Sequence, residues 1–144
     1  MNTPKTGAYQ AGIQIVDDNP ENLDILAAVL TKQGYEVRAV ISGSLALKVV
    51  RKHPPDLILL DIMMPGMNGY EVCERLKADE RSRDIPVIFL SALHETPDKI
   101  KAFSAGGVDY ITKPFQEEEV LARVKTHLTI RNLQKSLQEK NERL

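Results

Sequence analysis

The sequence predicts an α/β fold in which a parallel sheet of five strands lies between two layers of helices. Short apolar runs of strand length alternate five times with segments that carry apolar residues at helical spacing. The connections between these segments are short, which favours right-handed crossovers and a doubly wound parallel sheet. The run Leu57–Leu60 contains no polar residue, as expected of a central strand that is covered on both faces.

The first half of the chain carries clear start and stop signals for its helices. Asn19 is a favourable helix cap, and Pro20 suits the first helical position because its missing N–H group is not needed there. Gly34 is a favourable end for this helix, and Ser42 can cap the next one. We therefore predict strands at 13–16, 35–40 and 56–60, and helices that begin near 20, 43 and 68 and end near 33, 53 and 78.

The second half of the chain repeats the same alternation. The pair Thr96-Pro97 again combines a capping residue with a proline, and Gly106-Gly107 ends the helix that follows. We predict strands at 85–90 and 108–111, the first closed by Ser91 and the second by Lys113-Pro114, and a last helix from about Gln116.

Length and composition indicate a single soluble domain. The chain has 144 residues, enough for one domain with a substantial core. Its 19 Lys and Arg residues against 20 Asp and Glu residues give a net charge of -1, so no basic field indicates a protein that binds nucleic acid or a membrane surface. Cys73 is the only cysteine, which excludes an internal disulfide and fits a reducing compartment. No apolar run approaches the roughly 18 residues of a membrane span, and we expect a cytoplasmic protein.

Polar side chains follow or end four of the predicted strands. Asp17, Asp18, Asp61, Ser91 and Lys113 all fall at the carboxyl ends of strands, and these ends share one edge of a parallel sheet. Three carboxylates that converge repel one another, so the arrangement requires a compensating cation. Because oxygen ligands are the hard donors that Mg²⁺ prefers, and no Cys or His lies among them, the sequence predicts a Mg²⁺ site.

A carboxylate beside a divalent cation can attack a phosphoryl group in line and form an acyl phosphate. We predict that Asp61 is this nucleophile and also a metal ligand. Asp18 and the backbone carbonyl of Met63 are the other predicted ligands, and Asp17 is predicted to hold a metal-bound water. The ammonium group of Lys113 would pair with the phosphoryl oxygens, and the Ser91 hydroxyl would donate a hydrogen bond to one of them.

From Ile13 to about Leu128 the chain resembles the receiver domain of two-component response regulators. The resemblance depends on four short motifs that occur in order at the ends of successive strands. They are Ile15-Val16-Asp17-Asp18, the stretch from Asp61 to Gly66 with Gly69, Ser91-Ala92, and Tyr110 with Lys113-Pro114-Phe115.

The resemblance implies a flavodoxin-like fold with strand order 2-1-3-4-5. It implies that Asp61 accepts a phosphoryl group from a histidine kinase or a phosphotransfer protein, and that this transfer depends on Mg²⁺. It also implies a cis peptide bond before Pro114, and a switch in which the Tyr110 ring turns inward when the Ser91 hydroxyl engages the phosphate. On this view the chain is a signalling phosphoacceptor, and its own phosphorylation and dephosphorylation are the only reactions it catalyses.

The last helix carries two apolar faces. One face should cover the sheet, whereas the stripe that follows is rotated from it by roughly 180 to 200° on an ideal helix. A helix with such a stripe predicts a short coiled coil between two copies, or a linker to an output domain that is absent here; a frayed, solvated end is the alternative. We expect three regions: a flexible leader at 1–12, a receiver domain at 13–128 and a helical extension at 129–144. The first face comprises Val120, Leu121, Val124 and Leu128, and the stripe comprises Ile130, Leu133, Leu137 and Leu144.

Three other functions fit parts of this pattern. A haloacid-dehalogenase-type phosphatase also uses an aspartyl nucleophile with Mg²⁺, but it needs a second Asp at the position of Met63. A flavodoxin-like electron carrier would share the fold, but the negative charge of Asp17-Asp18 would repel a flavin phosphate. A docking or dimerisation module of the same fold that is never phosphorylated remains the main alternative.

A few positions depart from these expectations. Gln14 is polar in a strand that should be buried, and the sequence offers no function for it. Met63 and Leu93 are apolar where some family members orient the hydrolytic water, which predicts a long-lived phosphoryl group. The three histidines lack nearby ligand partners and are expected to be solvated; they are His53, His94 and His127.

Overall fold

A computed structural model of the protein describes residues 10–92 and 99–143. Within these ranges the predicted alternation of strands and helices is confirmed, with ends that differ by one or two residues. Several positions named above lie outside the described residues: most of the leader, Leu93, His94, the Thr96-Pro97 pair and Leu144. The strands are β1 (Gly12–Val16), β2 (Glu36–Val40), β3 (Leu57–Asp61), β4 (Val87–Ser91) and β5 (Asp109–Thr112), and the helices are α1 (Pro20–Lys32), α2 (Gly43–Lys52), α3 (Gly69–Ala78), α4 (Lys99–Ser104) and α5 (Glu117–Arg143).

The five strands form one parallel sheet in the order β2-β1-β3-β4-β5, which confirms the predicted topology. One apolar core lies between the sheet and helices α1 and α5. A second core lies on the other face, beneath α2, α3 and α4. Because β1, β3 and β4 are covered on both faces, their side chains are almost entirely buried.

The capping residues read from the sequence begin the helices as predicted. The Asn19 side chain accepts a hydrogen bond from the Glu21 N–H group at 2.9 Å, and Pro20 is the first residue of α1. The Ser42 hydroxyl accepts a hydrogen bond from the Leu45 N–H group at the start of α2. These caps determine where each helix leaves the end of the preceding strand.

Gly69 allows α3 to begin directly against the end of β3. A Cβ atom at this position would overlap the carbonyl oxygen of Asp61 and approach Cα of Ile62 to 2.9 Å. The Gly69 N–H group also donates a hydrogen bond to the carbonyl oxygen of Ile62 at 2.8 Å. The close approach of α3 therefore fixes the backbone on either side of the Asp61 side chain.

Gln14 is buried on the face of β1 that packs against α2. Its Nε2 atom donates a hydrogen bond to the carbonyl oxygen of Ala46 at 3.2 Å. Within the described ranges, its Oε1 atom has no hydrogen-bond partner. The side chain thus links α2 to the centre of the sheet. This hydrogen bond explains the amide nitrogen of Gln14 and leaves the amide oxygen unexplained.

The prediction that His127 is solvated is wrong. Its Nε2 atom lies 3.0 Å from Oδ2 of Asp109, and Arg123 donates two hydrogen bonds to the same carboxylate at 2.8 and 2.9 Å. Arg123 and His127 are four residues apart on α5 and therefore share one face of the helix, next to the first residue of β5. Burial alone would raise the pKa of Asp109, but the hydrogen bonds from His127, the Tyr110 N–H group and Arg123 outweigh it and lower that pKa. His53 is exposed, as predicted.

Helix α5 continues without a break to Arg143, well past the sheet. Its sheet-facing residues Val120, Val124 and Leu128 are buried, as predicted. The three described residues of the second stripe are exposed; their exposed fractions are 44% for Ile130, 64% for Leu133 and 62% for Leu137. The helix therefore presents an apolar stripe that the rest of the described chain does not cover.

Candidate functional site

Three acidic side chains converge at the carboxyl edge of the sheet. Asp17, Asp18 and Asp61 each place a carboxylate oxygen within 4.8 Å of the other two. Asp17 and Asp61 are buried, whereas Asp18 is exposed. The register explains the first pair, because Val16 is paired with Leu60 and the residue after each of them is an aspartate. The convergence predicted from the sequence is confirmed as a geometric fact.

Lys113 reaches this acidic group from the end of β5. Its Nζ atom lies 3.3 Å from Oδ1 of Asp61 and 3.4 Å from Oδ2 of Asp17. The Lys113 N–H group donates a hydrogen bond to the carbonyl oxygen of Ser91 at 2.8 Å, which joins the loop after β5 to the end of β4. The peptide bond between Lys113 and Pro114 is cis, as the family resemblance implied.

Asp17 is held by donors from the start of α1. Its Oδ1 atom accepts a hydrogen bond from the Asn19 N–H group at 2.9 Å, and its Oδ2 atom accepts one from Nδ2 of Asn22 at 3.1 Å. Asn22 is not among the site residues that the sequence motifs predict. The available signal was its position in the first turn of α1. This helix begins at Pro20, close after Asp17, so a short amide side chain in its first turn can reach back toward the end of β1.

The other predicted residues, Ser91, Tyr110 and Met63, lie in different environments. Ser91 is the buried last residue of β4, and its hydroxyl makes a long contact of 3.5 Å with the carbonyl oxygen of Ala92. Tyr110 is half-buried on β5, where it is paired with Phe89 and packs against the core beneath α3 and α4. Met63 follows Asp61 in the loop before α3, and its side chain is 60% exposed.

The buried carboxylates are incompletely neutralised. Burial raises the pKa of Asp61 to about 7, and the charge of Asp17 adds to this effect, while the ammonium group of Lys113 opposes it. Two buried carboxylates and one lysine leave an excess negative charge, to which the exposed Asp18 adds. The donors are carboxylate oxygens, without thiol or imidazole ligands. The residues present therefore fit a hard divalent cation such as Mg²⁺.

Shape alone does not indicate this site. A cavity of about 710 Å³ lies between α2 and α3, lined by residues such as Leu47, Arg75 and Ser82. None of Asp17, Asp18 and Asp61 lines it. The site is recognised by its charges and by its position at the ends of four strands. No helix in the described part of the chain is both long and apolar enough to cross a lipid bilayer.

Comparison with known proteins gives a consistent result. The family model described as the response regulator receiver domain matches residues 13–125. The chain is 45% identical over 116 residues to the DNA-binding dual master transcriptional regulator RpaA of Synechocystis, a match that covers 81% of this chain and 48% of RpaA. It is 42% identical over 116 residues to the response regulator PleD of Caulobacter vibrioides, covering 81% of this chain and 26% of PleD. The chain thus spans about half the length, or less, of these curated relatives.

A solved structure shares the fold over almost its whole length. The crystal structure of a putative response regulator from Chloroflexus aurantiacus has a TM-score of 0.81 and is 36% identical in sequence. The match covers 84% of this chain and 99% of that protein.

The raised pKa of Asp61 predicts how the metal-free protein responds to pH. A folded-state pKa of about 7, against an ordinary value of 3.8, means that the folded state binds this proton more tightly than the unfolded state. Stability should therefore fall as the pH rises from about 4 to about 7. An Asp61→Asn variant lacks this loss, and above pH 7 it should be more stable than the wild type by about 1 to 3 kcal/mol after allowance for solvent screening. Urea unfolding in the presence of EDTA at several pH values measures the difference.

Asp109→Asn is the matched control, and its expected pH response has the opposite sign. Because the partners of Asp109 lower its pKa, its contribution is present above the ordinary carboxyl pKa and is lost as the pH falls through the folded-state pKa. This variant should be less stable than the wild type at pH 7 by up to about 1 kcal/mol, with the difference vanishing in acid. Equal stability of Asp61→Asn and wild type at pH 8 would contradict the electrostatic description of the site.

Proposed function

The chain belongs to the response regulator receiver domain family, and we propose on that premise that Asp61 accepts a phosphoryl group from a histidine kinase or a phosphotransfer protein. The observation that best supports this proposal is the environment of Asp61. It is a buried carboxylate at a strand end, beside a second buried carboxylate and 3.3 Å from the ammonium group of Lys113. The chain would act in the cytoplasm as a signalling domain.

The proposed reaction is an in-line transfer. A carboxylate oxygen of Asp61 attacks the phosphorus of a phosphohistidine, the P–O bond forms, and the P–N bond breaks with its electron pair remaining on the imidazole. Asp61 must be ionised to attack. Burial raises the pKa of Asp61, and Lys113 favours the ionised state because its positive charge opposes that rise. In the product the same ammonium group would pair with a phosphoryl oxygen, and the Ser91 hydroxyl would donate a hydrogen bond to another.

We propose that the acidic group holds Mg²⁺. Asp18, Asp61 and the backbone carbonyl of Met63 would be its ligands, and Asp17 would contribute through a bound water. When bound, the ion supplies positive charge that neutralises the phosphoryl oxygens during transfer. The fold itself holds the buried carboxylates of Asp17 and Asp61 close together, with the ammonium group of Lys113 beside both.

We propose that phosphorylation changes the face formed by β4, α4 and β5. Ser91 lies next to Thr112, and Phe89 lies next to Tyr110, so the hydroxyl and the aromatic ring belong to neighbouring strands. Movement of the Ser91 hydroxyl toward the phosphate would leave space that the half-buried Tyr110 ring could enter, which would shift α4. Ile100 and Phe103 of α4 are exposed and would carry this change to a partner.

Phosphorylation is tested by intact-mass measurement after incubation with acetyl phosphate and Mg²⁺. The wild type should gain the mass of one phosphoryl group, because Asp61 can then attack the small donor directly. Asp61→Asn should gain none, and Asp109→Asn, altered at the opposite end of β5, should be labelled like the wild type. An unlabelled wild type would instead support a docking module that is never phosphorylated. Labelling of Asp61→Asn to the same extent as the wild type would place the phosphoryl group on another residue and would contradict the role of Asp61.

We also propose that residues 13–128 form the receiver unit and that the extension at 129–144 pairs with a second copy or leads into an output domain. The apolar stripe of Ile130, Leu133 and Leu137 supports the extension's role, because it points away from the buried face of the same helix. Paired stripes of two copies would form a short coiled coil.

Sedimentation of the whole chain tests the pairing of two copies. Replacing Leu133 and Leu137 by Glu should abolish self-association, because charge would replace the apolar contact. Replacing Asn132 and Ser136 by Glu adds the same charge away from the stripe and should leave the dimer largely intact. A wild type that stays monomeric at concentrations of about 0.1 mM, where a two-heptad coiled coil would be marginal but detectable, would contradict this pairing.

A further inference from the structure

Asn22 makes a contact with the acidic group that the phosphotransfer scheme above does not use. Asp17 is fully buried, and within the described ranges its carboxylate receives hydrogen bonds or ion pairs from three groups. These are the Asn19 N–H group on Oδ1, Nδ2 of Asn22 on Oδ2, and Nζ of Lys113, also on Oδ2. Asn22 supplies the one uncharged side chain among them.

We propose that Asn22 is a positioning residue of the metal site, which sets the orientation of the Asp17 carboxylate and thereby its affinity for Mg²⁺. The proposal rests on the function proposed above. The bond from Asn19 restricts rotation of the Asp17 carboxylate about its Cβ–Cγ axis through one oxygen. The bond from Asn22 to the other oxygen, at 3.1 Å, restricts that rotation further.

Lys113 cannot provide this orientation during phosphotransfer. Its ammonium group is shared between Asp17 and Asp61, at 3.4 and 3.3 Å, and the proposed reaction draws it toward the phosphoryl oxygens. Asn22 has no competing role of this kind, and its amide adds no positive charge that would repel a cation. Its backbone is fixed in the first turn of α1, where its N–H group bonds to the carbonyl oxygen of Asn19 at 3.1 Å.

Orientation matters because Mg²⁺ demands near-ideal octahedral geometry and retains several of its waters. A carboxylate that only orients a metal-bound water must present its oxygen in the correct direction. Removing a partner of a direct metal ligand typically weakens metal binding by about 10-fold to 100-fold. Because Asp17 would act through a metal-bound water, the expected effect of Asn22 lies at the lower end of that range. Since Asn22 is partly exposed and lies on a helix, where Ala is favourable, replacement by Ala should change the fold little.

The test compares Mg²⁺ dissociation constants, measured by isothermal titration calorimetry, for the wild type, Asn22→Ala and Asn19→Ala. We expect Asn22→Ala to bind Mg²⁺ about tenfold more weakly. Asn19→Ala removes the side-chain cap of α1 but keeps the backbone bond to Asp17. It should lower the unfolding temperature in EDTA and leave the Mg²⁺ dissociation constant within about twofold of the wild type. Asn22→Leu, which also lacks a donor and is close to Asn in size, provides a second substitution should Asn22→Ala fail to fold.

Each outcome bears on a separate claim. A tenfold loss for Asn22→Ala with little change for Asn19→Ala supports the positioning role. Equal Mg²⁺ affinity for wild type and Asn22→Ala or Asn22→Leu overturns it and leaves the proposed function intact. An equal loss in Asn22→Ala and Asn19→Ala also overturns it, because it would indicate a general effect of α1. A wild type without measurable Mg²⁺ binding would contradict the metal-dependent function itself.

Discussion

Two carboxylates, Asp17 and Asp61, are buried side by side, and among the described residues one ammonium group, that of Lys113, lies against them. Such a pair is costly, because burial and mutual repulsion both oppose ionisation, and this is why the pKa of Asp61 rises to about 7. The cost is offset by the burial of fully apolar strand residues on both sides of the sheet. The same imbalance underlies the proposed chemistry, because a group of carboxylates that lacks positive charge favours binding of a divalent cation.

The parallel sheet is what makes this arrangement possible. The register of the adjacent strands β1 and β3 places Asp17 and Asp61 at one edge of the sheet. Lys113 follows β5, two strands from β3, and its side chain reaches both carboxylates. The surrounding elements then restrict each group. Gly69 lets α3 close against the backbone of Asp61, and the first turn of α1 supplies donors to Asp17. The carboxylates with unbalanced charge are thus held by fixed backbone and side-chain contacts. This arrangement suits the proposed switch, which would respond to one added phosphoryl group.

Much of this could be predicted from the sequence, because periodicity and capping residues are local signals. The parallel sheet followed from the short connections, and its strand order followed from the family resemblance. The convergence of the three aspartates followed from the rule that parallel strands end at one edge. Two contacts between a strand end and a helix were missed. The pairing of Asp109 with His127 joins residues 18 positions apart and depends on how α5 lies against β5. The bond from Asn22 to Asp17 joins residues only five positions apart, but it depends on the angle at which α1 leaves β1.

The most direct test of the central claim is a crystal structure of the chain grown with Mg²⁺ and beryllium fluoride, a stable analogue of a phosphoryl group. The account predicts the analogue on a carboxylate oxygen of Asp61, contacted by the Lys113 ammonium group and the Ser91 hydroxyl. It also predicts one metal ion beside it, held by oxygens of Asp18 and Asp61. An ion or analogue bound elsewhere, with Asp61 and Lys113 still paired as they are now, would contradict the account.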